Sequence, residues 1–263
     1  MSHRPVVLVT GAARRVGRSI ALDLAHQGFD VAVHFHRSAA DAQEVVHAAR
    51  ERGARAHSFG ADLSDEGAAR ALVPDVVRHF GALDAVVNNA SAFAYDDLNS
   101  FGYATMQQQM AANAGAAVVL EQGLHRHRLQ STTGTSTDNP ACVVNLLDQK
   151  LWNPNPDYFS YTMSKAALES ATTMLAMALA PQVRVCGVAP GVTLLSGDMS
   201  AKEFDRAHQM TPLRRSSTPE DIAQAVRFLL QSPAITGTTL LVDGGQHLHG
   251  QPRDVMFLAR HPT

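Results

Sequence analysis

Tyr161 and Lys165 stand four residues apart at the head of an apolar, alanine-rich run, YTMSKAALESATTMLAMALA. Residues at this spacing share one face of a helix, so the Lys165 ammonium lies beside whatever the Tyr161 phenol serves. A free tyrosine has a pKa near ~10, and a neighbouring cation favours the phenolate and lowers that value. The pair therefore reads as a proton donor usable near neutral pH. Any long helix can carry such a pair by chance, so the reading needs company from elsewhere in the chain.

That company stands near the N-terminus. In Thr10-Gly11-Ala12-Ala13-Arg14-Arg15-Val16-Gly17 a strand-like run enters a helix-like run through small residues. Backbone can approach a pyrophosphate there, and the free N–H groups and positive dipole end of a helix favour the anion. The spacing departs from G-x-G-x-x-G, with Arg15 where a middle glycine would stand; a tight turn without a ligand is the alternative. The end of the second strand sharpens the reading. NAD sites place an acid there for the ribose hydroxyl, whereas NADP sites supply positive charge for the phosphate that replaces it. Here the segment is His34-Phe35-His36-Arg37-Ser38, without an acid. Arginine offers paired donors to phosphate, so Arg37 and Ser38 point to NADPH, with a solvated surface charge as the alternative.

These residues have to be positioned by a framework, and the sequence supplies one. Pro5 to Thr10, Val31 to Phe35, Ala56 to Phe59, Leu83 to Val87, ACVVNLL, VRVCGVA and TTLLVDGG read as buried strands. Short continuous apolar runs of this kind suit a parallel sheet. Helical patterns separate them, including a long one over roughly Tyr103 to Arg128 and one opened by Thr218, with proline and acids in its first turn. The alternation predicts one α/β domain over residues 1–263, a Rossmann-type doubly wound parallel sheet covered by helices on both faces.

Composition excludes other classes. The chain has 263 residues, 45% hydrophobic and 17% charged, with a formal net charge of −2, so nothing in its overall charge attracts nucleic acid or an anionic membrane. It has no apolar run long enough to span a bilayer, and the N-terminus enters a strand too early for a signal peptide. A cytoplasmic protein is expected, with Cys142 and Cys186 as buried thiols. The HRHR run at 125–128 suits a helix C-terminus. His247 and His249 lack partners at zinc-ligand spacing, so no metal is expected.

Taken together, TGAARRVG, Asp62 after the third strand, Asn88-Asn89-Ala90-Ser91, the Tyr161/Lys165 pair and Pro190-Gly191 resemble the short-chain dehydrogenase/reductase family over nearly the whole chain. The arginine in the glycine turn, HFHRSAADA and NNASAF resemble its pteridine reductases, which reduce pterins and folates with NADPH. The resemblance implies a cofactor site of Gly11, Arg15, Val16, Gly17, His36, Arg37, Ser38, Asp62, Leu63, Asn89, Ala90, Ser91, Tyr161, Lys165, Pro190 and Gly191. It implies that Lys165 also holds the ribose, that Asn113 holds a water and the lysine in a proton relay, and that Phe93 stacks the pterin. Arg15 and Ser91 would adjoin the substrate. A substrate lid is expected over 192–215, and a homotetramer built on the long helices.

One departure from the wider family fits this subgroup. The family's serine would stand thirteen residues before Tyr161, and that position holds Asp148. Pteridine reductases likewise carry aspartate there. A serine hydroxyl suits a ketone oxygen, whereas a C=N group needs a proton delivered to nitrogen, which a carboxyl with a raised pKa can relay. The resemblance, together with Asp148, thus implies catalysis by Asp148, Tyr161, Lys165 and Asn113 on a dihydropteridine substrate. A reductase of 3-oxoacyl thioesters and a non-catalytic NADP-binding regulator are the alternatives. Trp152 stays open between pocket wall and loop anchor.

Overall fold

In the computed structural model, which describes residues 4–131, 140–196 and 199–260, strands and helices alternate along the chain. In order they are β1 (Val6–Val9), α1 (Arg15–His26), β2 (Asp30–Phe35), α2 (Ala39–Glu51), β3 (Ala56–Gly60), α3 (Glu66–Phe80), β4 (Ala85–Asn88), α4 (Tyr103–Met110), a π-helical turn (Ala111–Gly115) and α5 (Ala116–Gln130). There follow β5 (Ala141–Leu146), α6 (Phe159–Ala178), β6 (Val183–Pro190), α7 (Ala201–Gln209), α8 (Pro219–Gln231), β7 (Thr239–Val242) and α9 (Val255–Arg260).

The seven strands form one sheet in the order β3-β2-β1-β4-β5-β6-β7, and every neighbouring pair is parallel. This is the doubly wound architecture expected from the alternation. Side-chain period fixes which face each residue serves. Val7 and Val9 of β1 enter the core with Ile20 and Leu24 of α1 and Ile222 and Leu229 of α8. Val6 and Leu8 enter the opposite core with Leu72 of α3 and Leu120 and Leu124 of α5. Both faces being covered explains the unbroken apolar runs in the sequence. The chain order reverses between β1 and β4, and a parallel sheet opens its ligand crevice beyond the carboxyl ends of the strands at such a point.

Element boundaries fall where polar side chains compete for backbone. Helix α3 begins at Glu66, because Asp65 accepts the Ala68 N–H at 2.7 Å as N-cap and Asp62 accepts from the Ser64 N–H and hydroxyl at 2.9 and 2.7 Å. The long helix is interrupted by a π turn that carries Asn113, a deformation that frequently accompanies functional sites. Residues 132–139, in the polar stretch QSTTGTSTDNP that follows it, and Gly197 and Asp198 of the expected lid lie outside the described residues. Among the described residues no helix is long and apolar enough to cross a membrane.

Candidate active site

The glycine turn is a close-packed device. Gly11 sits at φ +62°, and an added Cβ would stand 3.0 Å from the Ala90 Cα; a side chain there is strained twice. At Gly17 an added Cβ would meet the Gly11 carbonyl oxygen at 2.3 Å and the Asn89 amide at 2.5 Å. The missing side chains let β1, the first turn of α1 and the end of β4 touch. Asn89 closes the joint by donating from Nδ2 to the Thr10 carbonyl at 2.8 Å, while the Thr10 hydroxyl accepts the Asn89 and Ala90 N–H groups at 2.9 Å each. Arg14 turns away to an ion pair with Asp41 at 2.7 Å. Arg15, at φ 54°, stays on the crevice wall.

His34 belongs to this joint and was not among the expected site residues. Its Nδ1 accepts the Gly11 N–H at 3.0 Å, and its Nε2 lies 3.1 Å from the Ala61 carbonyl. A backbone N–H can only donate, so Nδ1 is the bare nitrogen and Nε2–H donates to Ala61. Burial is the main cause holding this imidazole neutral, with its pKa lowered to about 4. A histidine between the apolar residues Val33 and Phe35 of the strand DVAVHF is the signal that could have revealed it.

From this joint a crevice of about 660 Å³ runs past Asn89, Ala90 and Ser91 to Phe93, Asp148 and Tyr161. A side cavity of about 210 Å³ is lined by His36, Arg37, Asp62 and Leu63, with Gln108 and Ala112 completing it. His36 Nε2 stands 3.5 Å from Asp62. A glycine cradle at one end, a basic side cavity beside it and Tyr161 at the other end, with Lys165 buried behind it, fit a dinucleotide. Pro190 and Gly191 line a third cavity of about 230 Å³ that adjoins Arg15, Phe93, Asp148 and Tyr161.

At the shared end the Tyr161 hydroxyl donates to Asp148 Oδ2 at 3.0 Å, so the thirteen-residue separation closes into a direct hydrogen bond. Asp148 stands two residues beyond β5 and caps the short turn that follows, accepting the Lys150 N–H at 2.9 Å. Burial raises its pKa above the ordinary carboxylate range, with the Asp254 charge adding to the rise. Tyr161 is pushed well above the usual phenol value by burial first and by the Asp148 carboxyl second. This corrects the expectation that Lys165 lowers the phenol. The Lys165 ammonium is 5.8 Å from the Tyr161 ring centre and donates to the Leu146 carbonyl at 2.6 Å. Burial brings its own pKa down to about 8.

Asn113 braces the site rather than bonding the lysine directly. Its Nδ2 donates to the Ser164 hydroxyl and the Ala92 carbonyl, each at 2.9 Å, and its Oδ1 accepts the Ala92 N–H at 2.7 Å and the Ser91 hydroxyl at 3.2 Å. The π turn thereby holds the Ser91 loop against the residue preceding Lys165. Phe93 is half exposed, stacks on Tyr158 at 4.4 Å and meets Tyr161 edge-on at 4.7 Å. Ser38 takes the N-cap position of α2 without a capping bond from its side chain.

Met199 and Phe204, in the segment expected to form a lid, pack with Tyr158, Tyr161 and Met256. The last partner comes from the C-terminal segment, which sequence reasoning missed because it is remote in the chain. Trp152 is not among the residues lining the third cavity. His247 bonds to Asp243 at 2.8 Å, and no cluster of metal-ligating side chains occurs among the described residues. Both cysteines are free and buried.

Residues 11–247 match a family model described as enoyl-(acyl carrier protein) reductase. Pteridine reductase 1 of Leishmania tarentolae is 35% identical, covering 93% of this chain and 96% of that protein. A granaticin polyketide synthase putative ketoacyl reductase of Streptomyces violaceoruber is 34% identical over 93% of this chain and 96% of its own length. Among solved structures, the FolM alternative dihydrofolate reductase 1 of Brucella canis, complexed with NADP, superposes with a TM-score of 0.87 at 37% identity, covering 95% of this chain and 96% of that one.

Proposed function

The chain belongs to the short-chain dehydrogenase/reductase family, and from that premise we propose that it is an NADPH-dependent reductase of a dihydropteridine, a pterin or a folate. The hydrogen bond from Tyr161 to Asp148 carries this reading. Bound NADPH supplies a hydride to the carbon of a C=N bond, and the nitrogen then needs a proton. Tyr161 delivers or passes on that proton at its hydroxyl, and Asp148, a buried carboxyl that binds protons more readily than usual, replaces it. Lys165 orients the ribose, with Asn113 bracing the loop and helix around it. Gly11, Arg15, Val16, Gly17 and Asn89 to Ser91 hold the pyrophosphate side of the cofactor. His36, Arg37, Ser38, Asp62 and Leu63 hold the adenosine and its phosphate. Pro190 and Gly191 back the nicotinamide, and Phe93, Arg15 and Ser91 flank the substrate ring. Holding two flat rings together while excluding water is the main source of rate in such a site.

The similarity to ketoacyl reductases supports a second reading, reduction of a 3-oxoacyl thioester. Asp148 in place of a serine hydroxyl disfavours it. NADPH oxidation measured with dihydrobiopterin, dihydromonapterin, dihydrofolate and an acetoacetyl thioester separates the two. Pterin or folate turnover without thioester turnover supports the proposal, and the reverse pattern overturns it. Tyr161→Phe is expected to abolish turnover while NADPH still binds; unchanged turnover would remove Tyr161 as the acid. A cytoplasmic setting, which suits the free buried thiols, and a homotetramer belong to the same proposal.

A further inference from the structure

The third cavity holds two carboxylates, and the chemistry above uses only Asp148. The other is Asp254, on the C-terminal segment just before α9. This segment is latched over the site from several sides. Arg253 binds Asp157 through Nε at 3.0 and 2.8 Å and through a second guanidinium nitrogen at 2.8 Å. The Asp254 N–H donates to Asp157 Oδ2 at 2.7 Å. The buried Lys150 ammonium bridges the Asp157 carbonyl at 2.5 Å and Asp254 Oδ2 at 3.3 Å. Asp254 Oδ1 accepts the Met256 N–H at 3.1 Å. Among the described residues each Asp254 oxygen therefore has one hydrogen-bond partner, and a carboxylate oxygen has room for two. The side chain keeps 22% of its surface exposed where it lines the cavity. Its charge also reaches the reacting groups, raising the pKa of both Asp148 and Tyr161.

Resting on the dihydropteridine reading, we propose that Asp254 is a specificity-determining residue whose carboxylate receives the amino-pyrimidine edge of the substrate. That edge presents an exocyclic amino group beside a ring N–H, two parallel donors that match the two oxygens of a carboxylate. The aromatic wall of Phe93 and Tyr158 supplies the flat surface against which such a ring lies. A thioester offers no paired donors, so the same carboxylate disfavours it. Capping α9 and pairing with Lys150 are the competing explanation for Asp254, and they involve the backbone and Lys150 but not the ligand.

The test is calorimetric titration of the NADP-loaded protein with pterin and with lumazine, the same ring bearing oxygen in place of the amino group. The wild type should prefer pterin by about tenfold or more, because a site built for a donor rejects the analogue lacking it. Asp254→Asn and Asp254→Ser both preserve a helix-capping side chain and should erase most of that preference. Arg253→Ala loosens the segment without touching the carboxylate and should weaken both ligands alike. If either folded Asp254 variant keeps the wild-type preference, or the wild type binds the two ligands equally, Asp254 is not the determinant. If the wild type binds neither ligand, the dihydropteridine reading itself fails.

Discussion

Asp148 and Tyr161 are tuned by the same desolvation in ways that divide their labour. A buried carboxyl holds its proton to higher pH than a free one, and a buried phenol does not ionise in the neutral range. The acid that responds to pH in this pair is thus Asp148. A group that works in its protonated form is active below its pKa, so turnover should fall as pH rises through the raised Asp148 value. In Asp148→Asn, kcat should drop by about a hundredfold or more, and that alkaline limb should vanish from the pH profile. An unchanged limb would place the titrating group elsewhere. Asp148 was legible in the sequence because strand end and helix start fix its distance from Tyr161 along the chain. His34 and Asp254 were not, because their partners, Gly11, Ala61 and Lys150, are set by sheet order and by the path of the C-terminal segment. The effect on Tyr161 was misread for the same reason. A four-residue spacing puts Lys165 on the right face but does not say that its ammonium donates to the Leu146 carbonyl instead of facing the phenol.

Four elements meet beneath the site at a buried carboxyl that the chemistry does not require. Glu121 of α5 is fully buried and accepts from Asn145 of β5 at 3.0 Å and from Asn88 of β4 at 3.4 Å. Asn145 also donates to the Thr172 hydroxyl of α6 at 3.0 Å. Burial raises the Glu121 pKa to about 8, and its Oε2 has no hydrogen-bond partner among the described residues. The sign follows from proton binding. Between the ordinary carboxyl range and about 8 the folded protein keeps a proton that the unfolded chain releases, so stability falls as pH rises through that window and levels off above it. Each pH unit inside the window costs at most about 1.4 kcal/mol from this group. Glu121→Gln should flatten that slope in denaturant midpoints measured against pH; a slope equal to wild type would show that Glu121 does not titrate there. The network also shows where element-level reading stops. The strands and helices followed from period and punctuation, whereas a glutamate in the middle of AAVVLEQGLH reads as surface until packing from both neighbours encloses it.

At the scale of the molecule, one face of α6 is left without a partner among the described residues. The helix buries Tyr161, Lys165, Leu168 and Thr172 against the sheet and turns Met163, Ala166, Ser170, Thr173, Met174 and Met177 outward. Those positions recur at three- and four-residue steps, so they form one stripe, and none of them carries a charge. Met174 and Met177 are 62% and 79% exposed, which is unusual for consecutive outward turns of a helix in an isolated domain. The stripe supports the tetramer proposed above, since α6 packing on its copy would cover it. Tyr161 and Lys165 occupy the opposite face of the same helix, so assembly and site rigidity would share one element. Light scattering should give about four times the 28.2 kDa chain mass for the wild type. The double variant Met174→Glu, Met177→Glu should give a smaller species that still binds NADPH, because neither side chain lines the crevice. A variant of unchanged mass would move the contact to another face, and a monomeric wild type would end the proposal.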